Sequence, residues 1–134
     1  MYHAYMIGLA LFLALAPVQH GPSACEIAAE PGLLVSRIGE RVSVTGRYDW
    51  DIHYQQIHPD GCAEETLFVS LTSKASDRVS AFLASAYPGK MFGGGSIWGS
   101  FSGTVKKTRG GFPYLLIDTI AFDPARRMTF ADPS

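Results

Sequence analysis

Hydrophobic and polar residues alternate along several stretches of the chain, a pattern typical of strands with one buried face. In residues 41–51 (RVSVTGRYDWD), valines and aromatic residues fall on one face and polar residues on the other. Gly46 lies on the apolar face, which predicts a bulge or sharp bend. A second extended run, residues 52–58, ends at a Pro-Asp-Gly turn, and residues 67–71 (LFVSL) predict a short third strand.

The spacing of hydrophobic residues becomes helical over residues 73–87 (SKASDRVSAFLASAY), and the Pro-Gly pair that follows predicts the end of this helix. A glycine-rich link at 93–95 precedes a predicted fourth strand over residues 96–106 (SIWGSFSGTVK). The basic loop KKTRGGFP joins it to a fifth strand over residues 114–122 (YLLIDTIAF). The predicted order is three strands, one helix and two strands.

An uncharged apolar run at residues 4–16 (AYMIGLALFLALA) stands apart from these elements. It is shorter than the roughly 20 apolar residues that span a bilayer, and small residues follow it, as in a secretory signal peptide. We therefore expect a signal peptide helix at residues 1–24, a linker at 25–38, the folded domain at 39–123 and a loose tail at 124–134. The expected location is periplasmic or secreted, with no transmembrane span in the mature protein. An uncleaved anchor or a buried helix is the competing interpretation.

The chain has two cysteines, Cys25 and Cys62. In an oxidising compartment such a pair favours one disulfide. That bond would close a loop of about 37 residues, worth roughly 4 kcal/mol in the chain-entropy model. The alternative is a lipid anchor at Cys25, because Ser23 and Ala24 match the small residues before a lipidated cysteine, although Pro22 replaces the usual leucine. Cys62 would then be an unpaired thiol.

Composition narrows the classes of function. Hydrophobic residues make up 47% of the 134 residues, which is enough for a core, and the formal net charge is −1. Nucleic-acid binding usually needs an excess of basic residues, so a nucleic-acid partner is not expected. The glycines at 93–95 lack the lysine and helix of a phosphate-binding loop, and we expect no cofactor.

Metal-ligand chemistry is concentrated at His53, His58 and Cys62. Their spacing lacks the close pairs of structural zinc sites, so we expect a polar strand end and turn rather than a metal site. Asp49 and Asp51 share a strand face, where one could act as an acid; the alternative is a solvated face or a partner for Arg47. No catalytic residue is predicted.

The order of elements, with glycines in the first and fourth strands, resembles the OB-fold, a five-stranded, partly open Greek-key barrel. The chain is similar over residues 39–122 to small exported bacterial OB-fold proteins of uncharacterised function. The resemblance depends on Val42, Val44 and Gly46 in the first strand and on Cys62 after the second. A small SH3-like barrel, or a split sheet packed on the helix, is the structural alternative.

In an OB-fold, ligands bind on strands 2 and 3, beside the loops that join strands 1 and 2 and strands 4 and 5. The resemblance therefore implies a ligand-binding set in or near these elements: Trp50, His53, Tyr54, Lys106, Lys107, Arg109, Phe112 and Tyr114. Aromatic rings with interleaved cations stack sugars and hold anionic groups. The alternative assigns the aromatic residues to the core and the lysines to solubility.

These patterns predict a non-enzymatic binding or interaction module of the cell envelope. Its partner would be an envelope protein or a small anionic or sugar-like ligand. Two alternatives belong to other classes: a small metal-dependent or hydrolytic enzyme that uses His53 and His58, and a structural subunit of an envelope complex.

The apolar run generates the first prediction. The intact mass of the native protein should correspond to a chain without residues 4–16, because a signal peptidase removes such a segment during export. A full-length product recovered from the cytosol would contradict export.

Overall fold

The computed structural model describes residues 23–90, 93–126 and 129–131. Nearly all of the predicted signal peptide, residues 1–22, lies outside the described residues. The described elements follow in chain order: α1 (Ala24–Ala29), α2 (Pro31–Val35), β1 (Arg41–Trp50), β2 (Gln55–Pro59), β3 (Leu67–Leu71), α3 (Ser73–Ala86), β4 (Gly94–Lys107), β5 (Pro113–Phe122) and β6 (Thr129–Ala131).

Five of these strands form a sheet that closes into a ring. The strand order is β1-β2-β3-β5-β4, and β1 also pairs with β4. All neighbours are antiparallel except β3 and β5, which are parallel. The predicted mainly β class is confirmed, as is a single helix between the third and fourth strands.

The interior of the ring is filled by the inward-facing residues of each strand. The largest fully buried side chains include Ile57 from β2, Phe101 from β4 and Leu115 from β5. Helix α3 adds Ala75 and Val79 to the same core. The Thr72 hydroxyl caps this helix by accepting a hydrogen bond from the Ala75 amide, 3.2 Å away, which fixes the start of α3 directly after β3.

Glycines let neighbouring strands approach closely. A β carbon on Gly103 would lie 1.9 Å from the Leu116 carbonyl oxygen, and one on Gly46 would lie 2.3 Å from the His58 carbonyl oxygen. The β1–β4 register runs through Gly46 without interruption, whereas β4 and β5 shift register between Ser102 and Gly103. The extra residue at this shift is Asp118 of β5, so the registers of the described strands show no bulge at Gly46, which instead makes room for β2.

The N-terminal segment differs from the expected linker. It contains α1 and α2, and each helix buries one hydrophobic side chain in the core, Ile27 and Leu34 respectively. Ser23 caps α1 by accepting a hydrogen bond from the Glu26 amide, and Pro31 begins α2. These local signals set two short helices in a stretch too short to show a helical period.

The C-terminal segment also differs from the expected loose tail. Strand β6 pairs with the first residues of β4, with Thr129 opposite Ser96. Before it, the Arg126 guanidinium donates hydrogen bonds of 2.7 and 2.6 Å to the Asp60 carboxylate. The C-terminal segment is therefore ordered by its pairing with β4, and its own sequence pattern does not predict a strand.

A disulfide joins Cys25 in α1 to Cys62 in the turn after β2, which confirms the predicted pairing. A sulfur in a disulfide is available neither for a lipid thioether nor as a metal-binding thiolate, so the lipid anchor at Cys25 is contradicted. Disulfides persist in non-reducing compartments. Among the described helices, none is both long and apolar enough to cross a membrane.

The disulfide generates a stability prediction. Cys62→Ser should lower the free energy of unfolding by about 4 kcal/mol, because the loop of about 37 residues is no longer closed in the unfolded chain. Urea unfolding followed by circular dichroism measures the change. Alkylation of the wild-type chain under non-reducing conditions should label no thiol, and two labelled cysteines would refute the pairing.

The close approach at Gly103 generates another prediction. Gly103→Ala should destabilise the fold by about 3 kcal/mol, because the new methyl group meets the backbone of β5. Gly32→Ala is the matched control: a β carbon there meets nothing within 4 Å, and α2 should gain slightly in helix propensity. Equal unfolding midpoints for the two variants would disprove the steric argument.

Candidate functional site

The candidate ligand-binding residues divide into two groups at opposite ends of β4. Trp50, the last residue of β1, pairs with Gly95 near the start of β4. Lys106 and Lys107, the last residues of β4, pair with Tyr114 and Pro113 of β5. His53 and Tyr54 follow Trp50, whereas Arg109 and Phe112 belong to the β4–β5 hairpin. The structure does not bring the two groups together in one cleft.

The β4–β5 hairpin has a defined loop. The Thr108 hydroxyl accepts a hydrogen bond of 3.0 Å from the Phe112 amide, and the Thr108 amide donates one of 2.9 Å to the Phe112 carbonyl. Gly111 has a φ of 86°, a left-handed conformation that favours glycine. These contacts hold the loop while the Phe112 ring stays 60% exposed.

Phe112 packs against a second exposed ring, Phe68 of β3. The two rings meet edge to face with their centroids 6.1 Å apart, and Phe68 is 53% exposed. A cleft of about 450 Å³ opens beside them, and it is lined by Phe68, Val69, Ser70, Thr108, Phe112, Pro113 and Tyr114. A smaller cleft of about 190 Å³ shares the same two rings and reaches α1 and α2. We call these two rings and the larger cleft the Phe68–Phe112 patch.

Among the residues that the structure describes, the cations of the hairpin have no carboxylate partner. Lys106, Lys107 and Arg109 are exposed, and within the described part of the chain none of them forms an ion pair. By contrast, Arg41 pairs with a carboxylate: it donates hydrogen bonds of 2.8 and 2.9 Å to Asp118. These bonds lower the pKa of the Asp118 carboxyl well below its usual value. The hairpin therefore presents unneutralised positive charge beside the Phe68–Phe112 patch.

The other group lies on the β1–β2 loop, which Asp51 organises. Its carboxylate accepts hydrogen bonds from the amides of His53 and Tyr54, at 2.6 and 3.0 Å, and this closes a tight turn. His53 is exposed and Tyr54 is 43% exposed. Trp50 is half-buried and stacks on Tyr48 with a centroid separation of 5.7 Å.

Beside this loop lies a second cleft, of about 460 Å³. Its polar centre is Asp49, which is 8% exposed and accepts hydrogen bonds from Arg47 Nε and from the Ser96 hydroxyl. Asp49 is thus a partner for Arg47, as one interpretation of the sequence expected. The lining comprises Arg47, Asp49, Trp50, Asp51, Tyr54, Gly93, Gly94, Gly95, Ser96 and Thr129. We call it the Arg47–Asp49 cleft.

The histidines do not join a metal-binding cluster. His53 lies in the β1–β2 loop, and His58 lies in β2 opposite Arg47. Across the residues that the structure describes, no group of three His, Cys, Asp or Glu side chains could hold a metal ion. Asp60 instead binds Arg126, and the hydrogen bonds from that guanidinium lower the pKa of the Asp60 carboxyl.

Comparison with protein-family models, curated proteins and solved structures finds no match to this chain. What each of the two clefts can bind therefore follows from the residues that line it.

Phe68 is the residue of this surface that the sequence reasoning missed. The stretch LFVSL predicts a short strand, and its alternation also indicates which side chain is exposed. Leu67 and Val69 are buried, so the intervening Phe68 must point outward. Phenylalanine is usually buried in the core, so a phenylalanine on the outer face of a strand indicates a candidate contact surface.

Proposed function

We propose that the closed ring is an OB-fold-like barrel, and that the exported chain is a non-enzymatic binding or interaction module of the cell envelope. The observation that carries this proposal is the Phe68–Phe112 patch together with the hairpin cations, which form no ion pair within the described ranges. In OB-folds, the outer face of strand 3 and the loop between strands 4 and 5 belong to the ligand-binding surface. Phe68 and the hairpin occupy these positions in the present chain.

The geometry of the patch suits binding. Covering an exposed aromatic ring with a partner removes apolar surface from water, which favours binding. Aromatic residues also contribute most of the binding energy at many interfaces. The bonds between Thr108 and Phe112 already fix the loop, so little conformational entropy is lost when a partner contacts it. A prearranged loop of this kind needs no folding step on contact.

The chemistry of the patch defines the partner. Apolar walls accept a hydrophobic side chain, and Lys106, Lys107 and Arg109 attract an anionic group within reach of it. We propose an envelope protein that presents an acidic residue next to an aromatic or aliphatic one. A nucleic acid is disfavoured by the net charge of −1, because phosphate neutralisation needs a wider basic surface.

Affinity capture from envelope extract tests the proposal. Wild-type protein should retain a partner that is lost with Phe112→Ser and weakened by Lys107→Ala combined with Arg109→Ala. The charge variant should also weaken the salt dependence of capture, because fewer ionic contacts remain. Lys74→Ala, which removes an exposed cation from α3, is the matched control and should capture normally.

The folding of each variant must be checked first. Exposed loop cations contribute little to stability, so the double variant should unfold within about 0.5 kcal/mol of the wild type. If Phe112→Ser and the double variant retain the same proteins as the wild type, the patch is not the binding surface and the proposal fails.

A further inference from the structure

The Arg47–Asp49 cleft is a second site, separate from the Phe68–Phe112 patch, since it lies at the other end of β4. Its volume of about 460 Å³ falls within the roughly 300–1,000 Å³ of small-molecule sites. We propose that this cleft binds an uncharged sugar, with one sugar ring against Tyr54. The inference does not depend on the function proposed for the patch.

The charges of the cleft favour an uncharged ligand over an anion. Arg47 is the cation of the lining, and its Nε donates hydrogen bonds of 2.9 and 3.1 Å to the two oxygens of Asp49. The nearby carboxylate of Asp51 is also part of the lining. One guanidinium therefore faces two carboxylates, and a phosphate or carboxylate ligand would be repelled by the acidic pair.

The remaining polar atoms match hydroxyl groups. The terminal nitrogens of Arg47 donate no hydrogen bond within the described residues, and the second oxygen of Asp51 accepts none there. A sugar hydroxyl both donates and accepts, so neighbouring hydroxyls of one ring can satisfy a guanidinium and a carboxylate together. Hydrogen bonds to charged groups are the stronger kind, and they give such a site its orientation.

The walls supply the apolar part of the contact. Tyr54 is 43% exposed and lines the cleft, so it supplies the aromatic wall, whereas the Trp50 ring stacks on Tyr48 and packs against the core. The C–H face of a sugar ring stacks on such aromatic surfaces, which combine an apolar body with a polar tip. Residues 93–95 also line the cleft. Gly94 packs closely against β1, since a β carbon there would lie 2.6 Å from the Trp50 carbonyl oxygen.

The backbone of Trp50 and Tyr54 is fixed before any ligand arrives. Trp50 ends a strand that pairs along its length with β4, and Tyr54 is held by the hydrogen bonds that Asp51 accepts and donates in the turn. The salt bridge between Arg47 and Asp49 is likewise positioned by the Ser96 hydroxyl. A prearranged polar site with aromatic walls loses little entropy on binding.

Fluorescence of Trp50 tests the inference. The chain has two tryptophans, so Trp98→Phe leaves Trp50 as the reporter. The probes are maltotriose, cellotriose and chitotriose as neutral sugars, and trigalacturonate as the anionic counterpart. At least one neutral sugar should change the fluorescence saturably at up to millimolar concentration, with no loss of affinity in added salt, and trigalacturonate should bind more weakly.

Tyr54→Ala should weaken that binding about tenfold, the effect of losing one stacking surface. Ile52→Ala is the matched control in the same loop, because Ile52 is 86% exposed and does not line the cleft. The hairpin variant Lys107→Ala with Arg109→Ala should bind the sugar normally, so this test and the capture experiment can fail independently. If Trp98→Phe does not fold, the indole N–H signal of Trp50 in the wild-type chain gives the same readout.

The inference is overturned by any of three results: no saturable change with any neutral sugar, stronger binding of trigalacturonate, or equal binding by Tyr54→Ala and the wild type.

Discussion

The pairing of β1 with β4 is the constraint on which the rest of the molecule depends. It joins all ten residues of β1, from Arg41 opposite Thr104 to Trp50 opposite Gly95, and it closes the ring. Closure turns the inward residues of five strands into one core, and over residues 46–50 it gives β1 a paired strand on both sides. Such close strand packing is possible only because glycines occupy the tightest positions, as at Gly103.

The same pairing shapes the outside of the molecule. The Ser43 and Ser102 hydroxyls are 2.7 Å apart, the Thr45 and Ser100 hydroxyls are 2.8 Å apart, and Arg41 reaches across to Asp118. This outer face is therefore polar and internally satisfied. The surfaces suited to binding lie instead at the two ends of β4, where the sheet ends in loops. The hairpin end is aromatic and cationic, and the end beside the β1–β2 loop is polar, with one guanidinium against two carboxylates.

Much of the fold could be predicted from periodicity. The third strand has the predicted limits, and the helix ends within one residue of its predicted end, because alternation and helical spacing report directly which residues are buried. The helices of residues 24–35 and strand β6 could not be found this way. They are too short to show a period, and they are set by capping, by the disulfide and by pairing to a distant strand.

The candidate site was predicted only in part. The sequence identified Trp50, Tyr54 and Phe112 as surface candidates, and each retains exposed area in the structure. It could not show that antiparallel pairing places the end of β1 beside the start of β4, which separates the two loops. Arg47 and Ser96, which shape the second cleft, come together only through that same pairing.

The turn between β2 and β3 has a mechanical consequence. It carries Cys62, bonded to Cys25, and Asp60, paired with Arg126. A pulling force applied to the two chain ends would pass from Cys25 directly to Cys62, so residues 26–61, including β1 and β2, lie outside the path of the load. On the C-terminal side of Cys62 the described contacts are non-covalent, and such contacts yield far more readily than a covalent bond. Under tension the domain would therefore begin to unravel from its C-terminal end, while the disulfide shields the closing strand from direct strain.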